Sequence, residues 1–433
     1  MNLEHFIARR LAFNRSGSFT RVIIGIAIAA IALSMAIMIV STAMISGFKY
    51  EINSKIFGFW GHIHITDASI NRNFELKAIK TDDAYIKEIK NIKFVEYQKP
   101  RSVLGFNIEG KFSDERTIGG IKHVQPFIVL PGLIETKDGF QAILFKGIDE
   151  SFDWPGMQRF LVQGRGINYQ GDSLNNEMVI SKIIADKLQI KLNQKIITSF
   201  IKEGSKLKRV FKIVGIYNTG LEEYDRRIVI GEMTKIHDLL GWEKNDASGL
   251  EIFLDDIRDN EILTDYIYTN LLPANLYAET IQSKFPNIFE WLKLQDINER
   301  VILQLMTLVA IINMVTVLLI LILERTHMIG VLKSLGASNG SVRKIFLYHA
   351  AYMVFFGQLI GNIVGISLCY AQKYTGFIKL DETNYYLSEA PILMDWSTIL
   401  LINLAAFGII VVFLTLPSLL VKKITPIKAL RFD

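Results

Sequence analysis

The chain has 433 residues, half of them apolar, with a formal charge of +5 and a single cysteine. That composition excludes a disordered or fibrous protein, leaves room for a sizeable folded domain beside membrane segments, and rules out an intrachain disulfide or any paired-cysteine metal or redox site. The charge is uneven: residues 1–21, 324–344 and 422–433 hold 12 Lys/Arg against 3 acids, whereas residues 49–300 hold 34 against 36. A basic excess beside apolar runs is the positive-inside pattern, and it argues against nucleic acid, which would draw the basic patch onto the folded domain.

Residues 1–21 carry Arg9, Arg10, Arg15 and Arg21 against Glu4, with Leu3, Phe6, Ile7 and Leu11 at helical spacing. This predicts an interfacial elbow helix on the cytoplasmic leaflet. Residues 22–48 are free of charge and exceed the roughly 20 needed to cross a bilayer, so they form transmembrane helix 1, a retained anchor and not a cleaved leader.

The next span comes only at residue 301, which leaves residues 49–300 as a soluble domain and stalk on the far side of the membrane. Strand-like runs recur at 62–66, 142–145, 177–180, 195–198, 210–215, 227–230 and 250–254, and helical periods at 82–91, 181–190, 232–241 and 259–270. Residues 301–323 and 345–370 give helices 2 and 3, and residues 396–421 give helix 4. Residues 371–395 form a second far-side loop, and 422–433 a cytoplasmic tail. Gly357, Gly361 and Gly365 recur at four-residue spacing, a small-residue face for close helix packing. The fold class is an α+β membrane protein: four transmembrane helices with a large mixed α/β domain between helices 1 and 2.

Between helices 2 and 3, residues 324–344 form a polar, basic island that cannot lie in lipid. Met328, Val331, Leu332 and Leu335 fall at i, i+3, i+4 and i+7, on one face of a short surface helix. Gly336 is a natural stop, and Ser338 or Ser341 can cap the next helix. Pattern alone allows an ordinary connecting loop as well. Glu324-Arg325-Thr326 followed by Ile329-Gly-Val-Leu-Lys-Ser-Leu-Gly-Ala-Ser338 resembles the cytoplasmic loop of FtsX/MacB-type ABC-transporter permeases. The resemblance implies that this is the coupling helix, docking a separate ATPase through Glu324, Arg325, Met328, Val331, Leu332, Leu335 and Gly336; His327 and Met328 depart from the charged pair common there.

Further strings, Gly58-Phe-Trp-Gly-His62, His123-Val-Gln-Pro126, Lys146-Gly-Ile-Asp149, Phe211-Lys-Ile-Val-Gly-Ile-Tyr217 and Glu222-Glu-Tyr-Asp225, are similar in kind and order to the lipoprotein-releasing LolC/LolE family, with its MacB-like periplasmic domain. That resemblance covers nearly the whole chain. It implies a bacterial inner-membrane permease subunit working with a LolD-like ATPase and a second permease subunit, as homodimer or heterodimer. Acylated lipoprotein would be extracted from the outer leaflet and passed to a LolA-like periplasmic chaperone. The place matching the chaperone-recruiting hook, Ile201 to Lys208, is short and lacks proline. An acylated cargo needs an apolar seat, and Met44, Ile45, Phe48, Ile56, Phe57, Phe59 and Trp60 supply one at the mouth of helix 1; the plain alternative is an aromatic interface belt.

No enzyme chemistry, cofactor or metal site is expected. Gly105 to Lys111 imitates a phosphate loop, but Phe112 stands where a magnesium-binding hydroxyl is needed. His62 and His64 alternate on one strand face without a third ligand. Intramembrane Gln304, Asn313, His349, Gln358 and Asn362 either line a path or hydrogen-bond neighbouring helices. Two other functions share the architecture: an FtsX-like mechanotransmission protein acting on a cell-wall hydrolase, and a MacB-like efflux permease. A singly anchored binding protein would not need four spans.

Overall fold

Uncharged runs form helices because a backbone in hydrocarbon must satisfy its own hydrogen bonds. The computed structural model describes residues 4–7, 18–69, 77–103, 106–137, 139–169, 176–202, 205–381 and 385–424. Its long helices are α1 (Ser18–Trp60), α2 (Pro286–Glu324), the short α3 (Thr326–Ser334), α4 (Asn339–Thr375) and α5 (Trp396–Leu414). Among the described residues, α1, α2, α4 and the stretch beginning with α5 are long and apolar enough to cross a membrane. The chain divides into a helical unit, Met1–Glu51, Glu290–Leu380 and Glu389–Asp433, and a sheet unit, Ile52–Phe289 with Asp381–Ser388.

In the helical unit, one core joins Ala27 and Ile31 of α1 to Met314 and Leu318 of α2, Phe346 and Met353 of α4, and Ile410 of α5. A second collects Met35, Ile39, Cys369 and Ile399. The three glycines of α4 lie directly on α1. A Cβ added at Gly357 would meet Ile31 Cβ at 2.7 Å, one at Gly361 would meet the Ala32 carbonyl at 2.6 Å, and one at Gly365 would meet Ala36 at 3.1 Å. Backbones approach this closely only where side chains are missing. On an adjoining face of α4, Asn362 and Asn403 of α5 exchange amide hydrogen bonds of 2.7 and 2.9 Å, and the Gln358 amide donates to the Asn403 carbonyl. Residues 4–7 are helical, and His5 shares a 2.7 Å hydrogen bond with Tyr352 of α4. The rest of the expected elbow, residues 1–3 and 8–17, lies outside the described residues.

The sheet unit is built on a mixed sheet. In chain order the strands are β1 (Ile63–Asp67), β2 (Ile79–Lys80), β3 (Glu96–Val103), β4 (Phe106–Arg116), β5 (Ile121–Thr136), β6 (Gly139–Ile148) and β7 (Leu161–Gly164); then β8 (Glu177–Ser181), β9 (Lys195–Lys202), β10 (Ser205–Tyr217), β11 (Ile228–Glu232), β12 (Asp246–Ala247), β13 (Gly249–Leu254) and β14 (Leu276–Thr280). The main sheet runs β14-β1-β13-β5-β6-β11-β8-β10-β7, with β9 bridging β10 and β5. β6 with β11 and β8 with β10 pair in parallel, and the other pairings are antiparallel.

β1, β8 and β13 are buried along their whole length, their polar residues such as His64 and Glu251 included. The helix Asn260–Asn270 covers one end of the sheet through Leu263 and Ile267. The long β5 is not evident from pattern, because Pro126 and Pro131 interrupt it. The register sets Pro126 opposite Leu250 and Pro131 opposite Leu144, either side of where β5 passes from β13 to β6. β4 is a strand with no helix after it, so Lys111 is not at a phosphate loop; Gly105 lies outside the described residues.

Candidate functional site

A hinge at Arg325 separates α3 from α2, and the face expected to act together is divided by α3. Met328 and Leu332 are half-buried against the helical core beside fully buried Ile329. Val331 is 37% exposed and Leu335 79% exposed, forming an apolar tip. The turn is closed by bonds from Gly336 N to the Lys333 carbonyl and from Ala337 N to the Leu332 carbonyl. Gly336 takes φ +90°, where a side chain would be strained. Ser338 then caps α4 by accepting from Ser341 N at 3.1 Å. Spacing does not reveal the role of Lys333, whose ammonium donates to the carbonyls of Val421 at 2.7 Å and Ile424 at 2.6 Å. Arg343 likewise donates to Ser418 Oγ and the Thr415 carbonyl. The α3–α4 turn is thus fastened to residues 415–424. Glu324 is exposed, and Arg325 half-buried.

The aromatic stretch at the end of α1 is divided between the units. Met44, Ile45 and Phe48 belong to the helical unit, where Phe48 meets Trp291 edge-on at 6.2 Å. Ile56, Phe57, Phe59 and Trp60 belong to the sheet unit, where Phe57 stacks on His62 at 4.6 Å. Of the seven, only Met44 is more than marginally exposed; the others are buried by the chain's own packing. The helical unit instead has an apolar cavity of about 390 Å³, lined by Met38 of α1, Leu303, Thr307 and Ile311 of α2, and Ile402 and Ile409 of α5, with Gln304 among its few polar groups. Its lining is spread over three helices, so no single stretch of sequence betrays it.

A buried polar junction fixes the last turn of α1. The Lys146 ammonium on β6 donates to the Phe59 carbonyl at 2.8 Å, lies 2.6 Å from Glu251 on β13, and sits over the Phe59 and Trp60 rings at 4.9 and 4.8 Å. Gln125 donates to the other Glu251 oxygen at 2.7 Å. His64 Nε2–H donates to the Trp60 carbonyl at 2.7 Å, and its Nδ1 accepts from the Lys284 ammonium at 3.0 Å. Burial holds His64 well below its ordinary pKa, so it is neutral. Burial also lowers Lys146 and raises Glu251, while their mutual attraction and the ring faces favour the ion pair. The signal in the sequence is a lone charge within each of two apolar strands, Ala142-Ile-Leu-Phe-Lys146 and Leu250-Glu-Ile-Phe253. His62 stands just before β1 and accepts the Leu254 N–H on Nδ1 at 3.2 Å.

Two family models match: the MacB-like periplasmic core domain over residues 24–261, and the C-terminal domain of FtsX-like permeases over residues 300–426. Similar curated proteins include the lipoprotein-releasing system transmembrane protein LolC of Neisseria meningitidis serogroup B, 23% identical over 100% of both chains. Another is LolE of Haemophilus influenzae, 22% identical over 92% of both. The solved periplasmic region of MacB from Actinobacillus actinomycetemcomitans covers 52% of this chain and 92% of its own at 12% identity and a TM-score of 0.34, too weak a likeness to bear on the fold. The four long apolar helices and the matched domains define an FtsX-type ABC-transporter permease with a MacB-like core domain. Within that class, the chain belongs to the LolC/LolE family.

Proposed function

We propose that the chain is a permease subunit that extracts lipoproteins from the outer leaflet of the bacterial inner membrane for transfer to a periplasmic chaperone, powered by a separate LolD-like ATPase. The observation that carries this reading is the full-length likeness to lipoprotein-releasing relatives, joined to an exposed apolar tip at the coupling turn. Val331 and Leu335 dock the ATPase, with Glu324 and Arg325 beside them. Met328 and Leu332, seated in the helical core, pass its movement on, and Gly336 holds the turn in shape. The uninterrupted α2 carries that displacement from Glu324 toward Pro286, and Lys49 and Asp296, 2.7 Å apart, clasp α1 to α2. Gly357, Gly361 and Gly365 keep α4 against α1 throughout the stroke.

The basic flanks are cytoplasmic and the MacB-like domain periplasmic, in keeping with the charge asymmetry. Cargo acyl chains sit in the cavity at Met38, Leu303 and Ile402, shared with a second permease subunit. Met44, Ile45 and Phe48 continue that seat along α1, and Ile56, Phe57, Phe59 and Trp60 form its outer end, exposed as the transporter opens.

The test is photocrosslinking from Leu303 and from Phe57 in the assembled complex. Triacylated lipoprotein should crosslink at Leu303, the non-acylated form poorly, and ATP with the ATPase should erase the signal. Each buried methylene contributes about 0.8 kcal/mol, so the chains dominate cargo affinity. Equal crosslinking of acylated and non-acylated forms, or of neither, would favour a signalling role on a cell-wall hydrolase.

A further inference from the structure

Two polar residues stand on the otherwise apolar lining of the helical-unit cavity, Gln304 and Thr307 of α2. Thr307 is already committed: its hydroxyl donates to the Leu303 carbonyl at 2.7 Å, one turn back along its own helix. Gln304 is exposed, and its side chain makes no hydrogen bond among the described residues. An amide facing hydrocarbon with nothing to donate to is costly, so it calls for an acceptor from outside the chain.

Depth says where that acceptor lies. Glu299 and Arg300 are the last charges before the uncharged run that begins at Val301. At a rise of about 1.5 Å per residue, Gln304 is about 6 Å inside the boundary that Arg300 marks, and Ile311, at the other end of the α2 lining, about 16 Å. Helical side chains lean toward the helix N-terminus, which for α2 is this boundary, so the amide reaches back toward the headgroup region. On α5 the lining runs inward from Ile402 to Ile409, on the run that follows Asp395. Half of a hydrocarbon core of roughly 30 Å is about 15 Å, so the cavity is one leaflet deep, with its free polar group at the headgroup end. A fatty-acyl chain has the same profile: a carbonyl where it joins its head, and methylenes from there to the midplane.

We infer that Gln304 reads the acyl linkage of the cargo: its amide donates to the carbonyl of one fatty-acyl chain, whose tail runs down the cavity to Ile311 and Ile409. The inference rests on the reading of this cavity as an acyl seat, and it adds a preference for acyl over alkyl chains of the same length.

The test uses the full-length chain assembled with its ATPase in dodecyl maltoside, a detergent without carbonyls, with a photoreactive residue at Ile402. One probe is a synthetic peptide whose N-acetylated cysteine carries a glyceryl thioether bearing two fatty-acyl esters; the other joins the same chains by ethers. Gln304→Leu should raise the half-saturating concentration of the ester probe about fivefold relative to that of the ether probe. The exchanged side chain is exposed, so the variant folds. Asn313→Leu, which removes an α2 amide away from the lining, should leave the ratio as in the wild type. A ratio that Gln304→Leu leaves unchanged, whether both probes weaken alike or neither does, or an equal change with Asn313→Leu, would overturn the inference and leave the apolar seat standing. No crosslinking of either probe would overturn the seat and the inference together.

Discussion

Lys146 and Glu251 are each nearly inaccessible, so each charge depends on the other. Lys146→Met leaves the carboxylate buried and unpaired, and should destabilise the sheet unit by about 3–5 kcal/mol. Adding Glu251→Leu should recover most of that loss, because an apolar pair of similar volume removes the stranded charge. Thermal unfolding of the full chain followed by intrinsic fluorescence would measure both, and a double variant no more stable than Lys146→Met would show that the ion pair itself is not the cause. His62 gives a pH signature. Burial lowers its pKa to about 4, so as pH falls below 6.5 the unfolded chain takes up a proton that the folded chain refuses, and stability is lost toward pH 4. Asp225, raised to about 6 by burial, acts in the opposite direction, its contribution lost as pH rises from 3.8 through 6. His62→Gln removes the first effect and leaves the second. The stability gap between variant and wild type should therefore narrow between pH 6.5 and 4, and a gap that stays constant would mean that His62 titrates as a free imidazole.

At the scale of elements, α3 separates two roles that spacing assigns to one face. Leu335→Asp changes a side chain exposed to solvent, and should leave the melting profile intact while reducing ATPase co-purification at least about tenfold, the equivalent of 1.4 kcal/mol. Leu332→Asp puts a charge against the helical core and should lower stability first. Full recovery of the ATPase with Leu335→Asp would remove the tip as the docking element. The membrane helices were legible because an uncharged run longer than a bilayer has few other fates. The helices near 84–90 and 260–270 were legible from their periods. β5 was not, since its prolines are tolerated by a change of strand partner that local sequence does not record. Half of α3 was legible in the same sense: i, i+3, i+4 and i+7 mark an apolar face, but which part of it the chain covers depends on Ile329 and on helices far away in sequence. The aromatic residues 56–60 read as a surface because Lys146 and Tyr217, which help bury them, lie on strands far away in sequence.

For the whole molecule, the charge asymmetry and the family imply one orientation. In a Cys369→Ser background, Ser338→Cys should resist an impermeant maleimide until the inner membrane is opened, whereas Asp114→Cys should react once the outer membrane is breached. Labelling of Ser338→Cys in cells with a sealed inner membrane would reverse the orientation and with it the transport reading.

The paired amides of Asn362 and Asn403 also bear on how the protein is made. Forty-one positions separate them in sequence, so Asn362 leaves the ribosome before Asn403 does. Until α5 follows, α4 carries amides with no partner across the helix interface, a poor state for a segment passing into lipid. Its settling in the bilayer is thereby tied to the arrival of α5, and a chain that stops short of Asn403 presents cellular quality control with a helix marked as unfinished.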